Sequence, residues 1–136
     1  TMQTMLPVTL LLLLFMTAPR AGEATASPVS RAIFTTAIQQ AEPADSLSEL
    51  RSDAEQVFLF TELRNMDGEV VMHTWEHKGA IIARVRFDVG GPHARLWSGR
   101  LLTPDMQGSW RVVVTNASGT VLTEKTLDYN PEDVPF

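Results

Sequence analysis

Most of the chain beyond residue 28 is a series of short segments rich in β-branched and aromatic residues, each bounded by residues that favour turns. Segments of this kind predict β-strands, here at 29–38, 57–64, 69–77, 80–89, 93–100, 110–116 and 120–127. No helical segments alternate with them, as they would in a parallel sheet. We therefore expect an all-β fold, an antiparallel, immunoglobulin-like β-sandwich of about seven strands.

The long connection between the first two predicted strands is the acidic segment 39–56. It contains Pro43 and lacks apolar alternation, which predicts a loop. Ser46 and Glu49 nevertheless have the spacing of a helical capping box, and apolar residues follow at helical intervals. One or two helical turns inside this loop are the alternative.

The N-terminal segment predicts export. Residues 5–18 are an apolar run whose helical length of ~21 Å falls short of the ~30 Å hydrocarbon core of a bilayer. Small residues at 21–26 offer a cleavage site. We interpret residues 1–26 as a signal peptide, or alternatively as a short uncleaved anchor helix, and residues 27–136 as one β-sandwich domain. The domain is then periplasmic or secreted, or held at the membrane through this leader alone.

Composition removes several classes of function. The chain has no Cys, which excludes disulfides, thiol catalysis and thiolate metal sites. Its formal net charge of −5 argues against nucleic acid as a partner, because phosphate backbones attract basic surfaces. Arginines and tryptophans interleave between residues 75 and 111, which is typical of interfaces and of faces that bind sugars or anions.

Turn residues at 65–68 and at 78–79 predict two hairpins. In the second, Lys78 and Gly79 occupy a two-residue turn. The cross-strand pairs that follow are His77 with Ala80, Trp75 with Ile82, and His73 with Arg84. A shift of one residue would exchange the two faces of the hairpin, so this register decides which side chains meet solvent.

The register predicts an apolar face for the core and a mixed face for solvent. The predicted core set on this hairpin is Val70, Met72, Thr74, Ala83, Val85 and Phe87. The candidate ligand-binding face consists of His73, Trp75, Arg84 and Arg86, extended by Arg95 and Trp97. A sheet face offers area without a deep pocket, so the expected ligand is a polymer or a protein.

The histidines do not predict a metal site. On a strand His73 and His77 lie ~13 Å apart, whereas zinc–nitrogen bonds measure ~2.0–2.1 Å. We expect no metal ion and no cofactor. Ser98 lacks the glycine pattern of a nucleophile elbow. A metal-assisted hydrolase around His73 and His93 is one alternative function, and a purely structural assembly module with buried aromatics is another.

The sequences FTELRNMDGEVVMHTWEHKGAIIARVRFDVGGPHARLWSGRLL at 60–102 and GSWRVVV at 108–114 resemble the bacterial family Domain of Unknown Function 2914, over about residues 30–128. The resemblance implies a β-rich domain in exported or membrane-anchored bacterial proteins, without an established activity. Its motif positions are His73, Trp75, Gly90, Gly91, Pro92, Trp97, Ser98 and Trp110. We assign a role only to Gly90, Gly91 and Pro92, which shape a turn. Gly99 and Arg100 depart from the family, which usually has Ser and Lys there.

These observations predict a non-catalytic, exported binding or interaction module of the bacterial envelope. Its partner is expected to be an envelope protein or polysaccharide rather than nucleic acid, and the sequence does not specify the ligand.

Overall fold

The computed structural model describes residues 27–51 and 54–131. The predicted signal peptide or anchor helix at 1–26 lies outside the described residues, as do residues 52–53 and 132–136. Within the described ranges, no helix has the length and apolar character needed to cross a bilayer.

Ten strands account for most of the described chain. The seven long strands are β1 (Val29–Thr35), β5 (Gln56–Arg64), β6 (Val70–His77), β7 (Ala80–Asp88), β8 (His93–Leu101), β9 (Gly108–Asn116) and β10 (Val121–Tyr129). The three short strands are β2 (Ile38–Gln39), β3 (Glu42–Pro43) and β4 (Glu49–Leu50). Each long strand corresponds to one predicted from sequence, although β1 ends at Thr35 rather than at residue 38.

The strands form two main sheets that pack face to face. One sheet has the order β1-β5-β8 and the other the order β4-β10-β9-β6-β7. The long strands pair antiparallel throughout, and the two-residue contact of β4 with β10 is parallel. This arrangement confirms the antiparallel β-sandwich. In antibody constant domains the fourth long strand joins the sheet of the first, whereas here β7 pairs with β6 in the opposite sheet.

The connection at 65–69 corrects the first predicted hairpin. β5 and β6 lie in different sheets, and β5 pairs instead with β1 and β8. The backbone N–H of Asn65 donates to the carbonyl oxygen of Pro92 (2.7 Å), so the connection is bonded to the segment 89–92 and does not join two paired strands. That segment, which contains Gly90, Gly91 and Pro92, leads the chain from β7 back to β8. Both connections therefore carry the chain across the sandwich.

The turn at Lys78 and Gly79 is confirmed. Their φ angles are +49° and +81°, the two left-handed conformations that a two-residue hairpin turn requires. Gly79 adopts this backbone without a steric penalty because it has no Cβ. His77 pairs with Ala80 across the turn, as predicted.

The predicted register also holds for Glu76 with Ile81, and it is wrong from Trp75 onward. A β-bulge interrupts the ladder next to Trp75, and Ile82 is left as the extra residue on β7. Trp75 therefore pairs with Ala83, and His73 with Val85. Side chains alternate between the two faces of a strand. The extra residue therefore leaves the predicted inward face of β7 unchanged but places beside it the residues of β6 that were predicted to face solvent. The inward set on β6 is Val71, His73 and Trp75 instead of Val70, Met72 and Thr74.

Aromatic rings dominate the core between the two sheets. Trp75 lies edge-on to Phe34 and to Trp110, with ring centroids 6.0 Å and 6.2 Å away, the geometry that aromatic pairs prefer. The indole N–H of Trp110 donates to the carbonyl oxygen of Met106 (2.9 Å). The remaining buried core residues are aliphatic for the most part, among them Leu59, Leu63, Val71, Val112, Val114 and Leu127.

The segment between β1 and β5 forms short strands where helical turns were the alternative. β2 and β3 make a small hairpin, and β4 continues to an edge of the five-stranded sheet. Asp45 fixes the base of the hairpin by accepting hydrogen bonds from the Thr35 hydroxyl (2.6 Å) and from the Thr36 hydroxyl and N–H (2.6 and 2.8 Å). Partial burial raises the pKa of Asp45, but these hydrogen bonds outweigh it and hold the pKa below its ordinary value.

Candidate functional site

The six residues of the predicted binding face lie in three separate places. His73 and Trp75 are in the core, each 0% exposed. Arg84 and Arg86 lie on the outer face of the five-stranded sheet, and Arg95 and Trp97 lie on β8 in the three-stranded sheet. The predicted continuous face is therefore wrong, because the bulge beside Trp75 turns His73 and Trp75 into the core and because β8 belongs to the other sheet.

His73 and Trp75 belong to a buried chain of hydrogen bonds between the sheets. The indole N–H of Trp75 donates to the hydroxyl oxygen of Ser98 (2.9 Å), and that hydroxyl lies 2.7 Å from Nδ1 of His73. On the other side of the ring, Nε2 of His73 lies 3.1 Å from the Thr61 hydroxyl. Thr61 in turn donates to the carbonyl oxygen of Leu96 (3.0 Å). Ser98 and Thr61 come from the three-stranded sheet, and His73 and Trp75 from the five-stranded sheet.

The ends of this chain fix the position of every proton within it. The carbonyl of Leu96 can only accept, so the Thr61 hydrogen points to it and Thr61 must accept from Nε2–H of His73. Nδ1 of a neutral ring is then an acceptor, and the Ser98 hydroxyl donates to it. With the His73 imidazole neutral, each donor in this chain of hydrogen bonds therefore has an acceptor.

Burial also disfavours the charged form of His73. Desolvation lowers the pKa of His73 from 6.5 to about 4, because an imidazolium would lose its hydration inside the sandwich. The ring of Phe87 packs edge-on against it at 4.8 Å between centroids. Protonation would also force Nδ1 to become a donor and break its bond from Ser98.

The close pair of Ser98 and His73 does not have the arrangement of an activated nucleophile. Ser98 is 7% exposed, and its hydroxyl oxygen already accepts the indole N–H of Trp75. A nucleophilic serine needs a base whose second nitrogen is held by a carboxylate or an equivalent group. Here the second nitrogen of His73 is held by the Thr61 hydroxyl. This buried chain of hydrogen bonds therefore serves to join the two sheets.

Arg84 and Arg86 face solvent on the outer side of the five-stranded sheet. Arg84 lies opposite Thr74 and Arg86 lies opposite Met72 on β6. Arg86 also contacts Asp88 at 3.2 Å. The arginines are exposed as predicted, but the aromatic partners expected beside them are in the core.

Arg95 and Trp97 lie on the outer face of the three-stranded sheet, where three cross-strand rows are stacked. The rows are Arg31–Glu62–Arg95, Ile33–Phe60–Trp97 and Thr35–Phe58–Gly99. Trp97 is 38% exposed, and Phe60 beside it is covered by the guanidinium of Arg31, 4.9 Å from the ring centroid. This surface, which we call the Trp97 face, combines aromatic rings with cations.

Ion pairs connect the charged residues of the Trp97 face. Arg31 binds both Glu42 (2.8 Å) and Glu62 (2.6 Å), which ties the β2–β3 hairpin to the sheet. Arg95 contacts the same two carboxylates at 3.0 and 3.4 Å. The hydrogen bond from Arg31 is the largest cause that lowers the pKa of Glu62 to about 2. Glu62 is thus a carboxylate at any pH near neutrality.

An open groove of about 480 Å³ lies at the end of the Trp97 face, lined by Glu62, Arg64, His93, Ala94 and Arg95. The guanidinium of Arg64 donates to Nε2 of His93 (2.8 Å), and its nearest carboxylate oxygen, on Glu62, is 3.8 Å away. Arg64 is therefore weakly paired, because its carboxylate contact is long and Glu62 also pairs with Arg31 and Arg95 at shorter distances.

The two histidines of the alternative hydrolase site are not together. His73 lies in the core, whereas His93 is exposed on the outer face of the three-stranded sheet. In the part of the chain that the structure describes, no three His, Asp or Glu side chains are grouped to hold a metal ion. The geometry therefore gives no basis for that site.

The family model described as Protein of unknown function (DUF2914) matches residues 68–128. Over these residues the chain is similar to the DUF2914 family. The match begins after β5, so the wider resemblance over about 30–128 is supported for its second part only. A search of curated proteins found no match to the chain.

Within the DUF2914 match, three motif residues turn out to be hydrogen-bonded neighbours. His73, Trp75 and Ser98 form the buried chain, and Trp110 packs against Trp75. Sequence reasoning missed Thr61 and Ser98 as partners of His73, because strand spacing says nothing about residues on the opposite sheet. It also missed the groove residue Arg64. The one available signal was the alternation of arginine and glutamate across the predicted strands 57–64 and 93–100.

Proposed function

We propose that the chain is a non-catalytic, exported binding module of the bacterial envelope, and that the Trp97 face is its contact surface. The observation that carries the proposal is the exposure of Trp97 beside Arg95 and the groove. Tryptophan and arginine are the residues that most often supply binding energy at protein surfaces. The outer face of the other sheet has Arg84 and Arg86 without an exposed aromatic ring among its described residues.

The shape of this surface favours an extended partner. The groove is open, and the three rows of the Trp97 face lie side by side on one sheet, which offers area rather than a deep pocket. Small molecules prefer concave sites that enclose most of their surface. The apolar run at 5–18 supports the export part of the proposal.

Binding to an isolated envelope fraction tests the proposal. The protein is purified in the form in which an expressing bacterium produces it, and the amount that sediments with the envelope fraction is measured. We expect Arg95→Gln with Trp97→Ala to weaken binding at least about tenfold, since each tenfold corresponds to about 1.4 kcal/mol.

The matched control is Arg84→Gln with Arg86→Gln on the opposite sheet, which we expect to bind as the wild type does. Thermal unfolding of both double variants shows that they are folded. Equal loss in the two double variants, or no loss in the first, would contradict the proposal.

A structural assembly module is the second candidate, because the large aromatic residues Trp75 and Trp110 are buried and serve the core. This candidate predicts that the wild-type protein stays in the supernatant at all envelope concentrations tested.

A further inference from the structure

We infer that the ligand of the Trp97 face is an acidic polysaccharide, with a carboxylate of the polymer bound at the groove by Arg64 and Arg95 and a sugar ring packed on Trp97. The inference rests on the proposed function of the same face. It adds the chemical class of the ligand.

Charge on the Trp97 face favours an anionic ligand. The ion-paired cluster contains three arginines (31, 64 and 95) and two glutamates (42 and 62), so it carries 3 − 2 = +1. This excess stands out in a chain whose formal net charge is −5. Arg31 and Arg95 each contact both glutamates, whereas Arg64 has only a long contact of 3.8 Å to Glu62, which leaves the excess positive charge on the Arg64 side of the groove.

The arginine side chains that line the groove have free donors toward solvent. The side chains of Arg64 and Arg95 are 53% and 45% exposed. Arg64 uses one nitrogen to donate to His93, which is a neutral acceptor in that contact. Guanidinium groups bind carboxylates through paired hydrogen bonds that are stronger than those between neutral groups.

The apolar part of the face suits a sugar ring. Trp97 lies two residues from Arg95 on the same side of β8, ~6.6 Å along the strand. The C–H face of a pyranose packs on an aromatic plane, so one polymer segment can reach both residues. Beyond Trp97, Gly99 has no side chain, and a Cβ there would lie 2.7 Å from the ring of Phe58. The half-buried Phe58 ring therefore occupies the space over Gly99, and the apolar surface continues on that side of the tryptophan.

The same features argue against a protein as the main partner. A stable protein interface covers about 800 Å² on each partner and has a cluster of apolar anchors at its centre. Among the described residues of this face, the exposed large apolar side chains are Trp97 and Leu101, at opposite sides of Gly99. Two such side chains do not make a central cluster.

Titration with three polymers tests the inference. The probes are polygalacturonate, the same polymer with its carboxylates methyl-esterified, and poly-L-glutamate. We expect polygalacturonate to bind, and both other polymers to bind at least about tenfold more weakly, because one lacks the charge and the other lacks the sugar rings. Arg64→Gln should weaken the binding of polygalacturonate by at least about tenfold and leave the weak binding of the methyl ester unchanged. Arg84→Gln is the control and should change neither.

Each contrary result has a distinct meaning. Equal binding of poly-L-glutamate overturns the polysaccharide in favour of an acidic peptide. Equal binding of the ester overturns the anion site at the groove. No binding of any probe, with sedimentation on the envelope fraction still dependent on Trp97, overturns the ligand class and leaves the proposed function standing. Loss of that Trp97-dependent sedimentation is the separate result that removes the proposed function itself.

Discussion

A single buried histidine shows how a polar group can be held in an apolar core. His73 has two different ring nitrogens, and each meets a hydroxyl that is itself oriented by a further partner. The cost of burying an imidazole is offset only while all these hydrogen bonds are made, because an unpaired buried polar group loses its hydration without compensation. The buried side-chain polar atoms of the described residues all have partners.

We expect Ser98→Ala to lower the free energy of unfolding by about 2–6 kcal/mol. The change removes the acceptor of the Trp75 indole N–H and the donor to Nδ1 of His73, and each orphaned group costs roughly 1–3 kcal/mol. Urea denaturation measures the loss.

The control for this variant is Ser109→Ala, since Ser109 is exposed on β9 and should change stability by no more than about 0.5 kcal/mol. A double cycle with Thr61→Val tests the chain itself. Because both hydroxyls act on one imidazole, the two effects should not add. Strict additivity would contradict a connected chain.

At the scale of strands, Gly99 on β8 leaves room for the large Phe58 side chain of the neighbouring strand β5. The Phe58 ring lies over Gly99, its cross-strand partner. A side chain at position 99, such as the serine that is usual in the family, would clash with the Phe58 ring in its present position.

We expect Gly99→Ala to destabilise the protein by about 1–3 kcal/mol, because the added Cβ would lie 2.7 Å from two atoms of the Phe58 ring and the ring must move. Thermal unfolding measures the change. Gly90→Ala is the matched control. A Cβ at Gly90 meets nothing within 4 Å, and reduced freedom of the unfolded chain should make that variant neutral or up to about 1 kcal/mol more stable. The same effect at both glycines would contradict the packing argument.

The strands were predictable from sequence, and the faces of β6 were not. Strand propensity and turn residues are local signals, which is why all seven long strands were found. On β6, however, Val70, Met72 and Thr74 look as apolar as Val71, His73 and Trp75, so alternation alone does not choose between them. The bulge at Ile82 determines which residues of β6 face the core, and no local residue pattern predicts this bulge.

The candidate site was partly predictable for the same reason. Arg95 and Trp97 alternate along one strand, and their exposure followed from that alternation. Arg31 joins them because β1 pairs with β5, and Glu42 joins them because the β2–β3 hairpin folds over the sheet. Contacts between segments so far apart in sequence depend on topology, and the wrong hairpin predicted between β5 and β6 concealed that topology.

Across the whole molecule, the hydrogen-bonded chain joins the two sheets of a sandwich that has no Cys. In antibody domains a disulfide connects the sheets beside a buried tryptophan. Here Ser98 and Thr61 reach from one sheet to His73 and Trp75 of the other, and Trp75 also packs on Phe34 and Trp110. A connection made of neutral hydrogen bonds is sensitive to pH, as a disulfide is not.

We expect stability to fall by about 3 kcal/mol as the pH decreases from 6.5 to 4. The pKa of His73 is lowered to about 4 in the folded protein from 6.5, so between these values the unfolded chain binds a proton that the folded protein does not. The stabilising contribution is complete above pH 6.5, is lost as the pH falls toward 4, and changes no further below 4. Urea midpoints from pH 7.5 to about 2 measure it.

The variant His73→Gln isolates this contribution, because an amide can still hydrogen-bond to the hydroxyls but does not titrate. It should be less stable than the wild type at pH 7.5, and the difference should shrink steadily down to pH 4. A second loss, between pH 4.5 and 2, should occur in both proteins, because the pKa of Glu62 is lowered to about 2 and its ion pairs with Arg31 and Arg95 break only there. Parallel pH profiles over the range from 6.5 to 4 would show that His73 is not the group that titrates on unfolding.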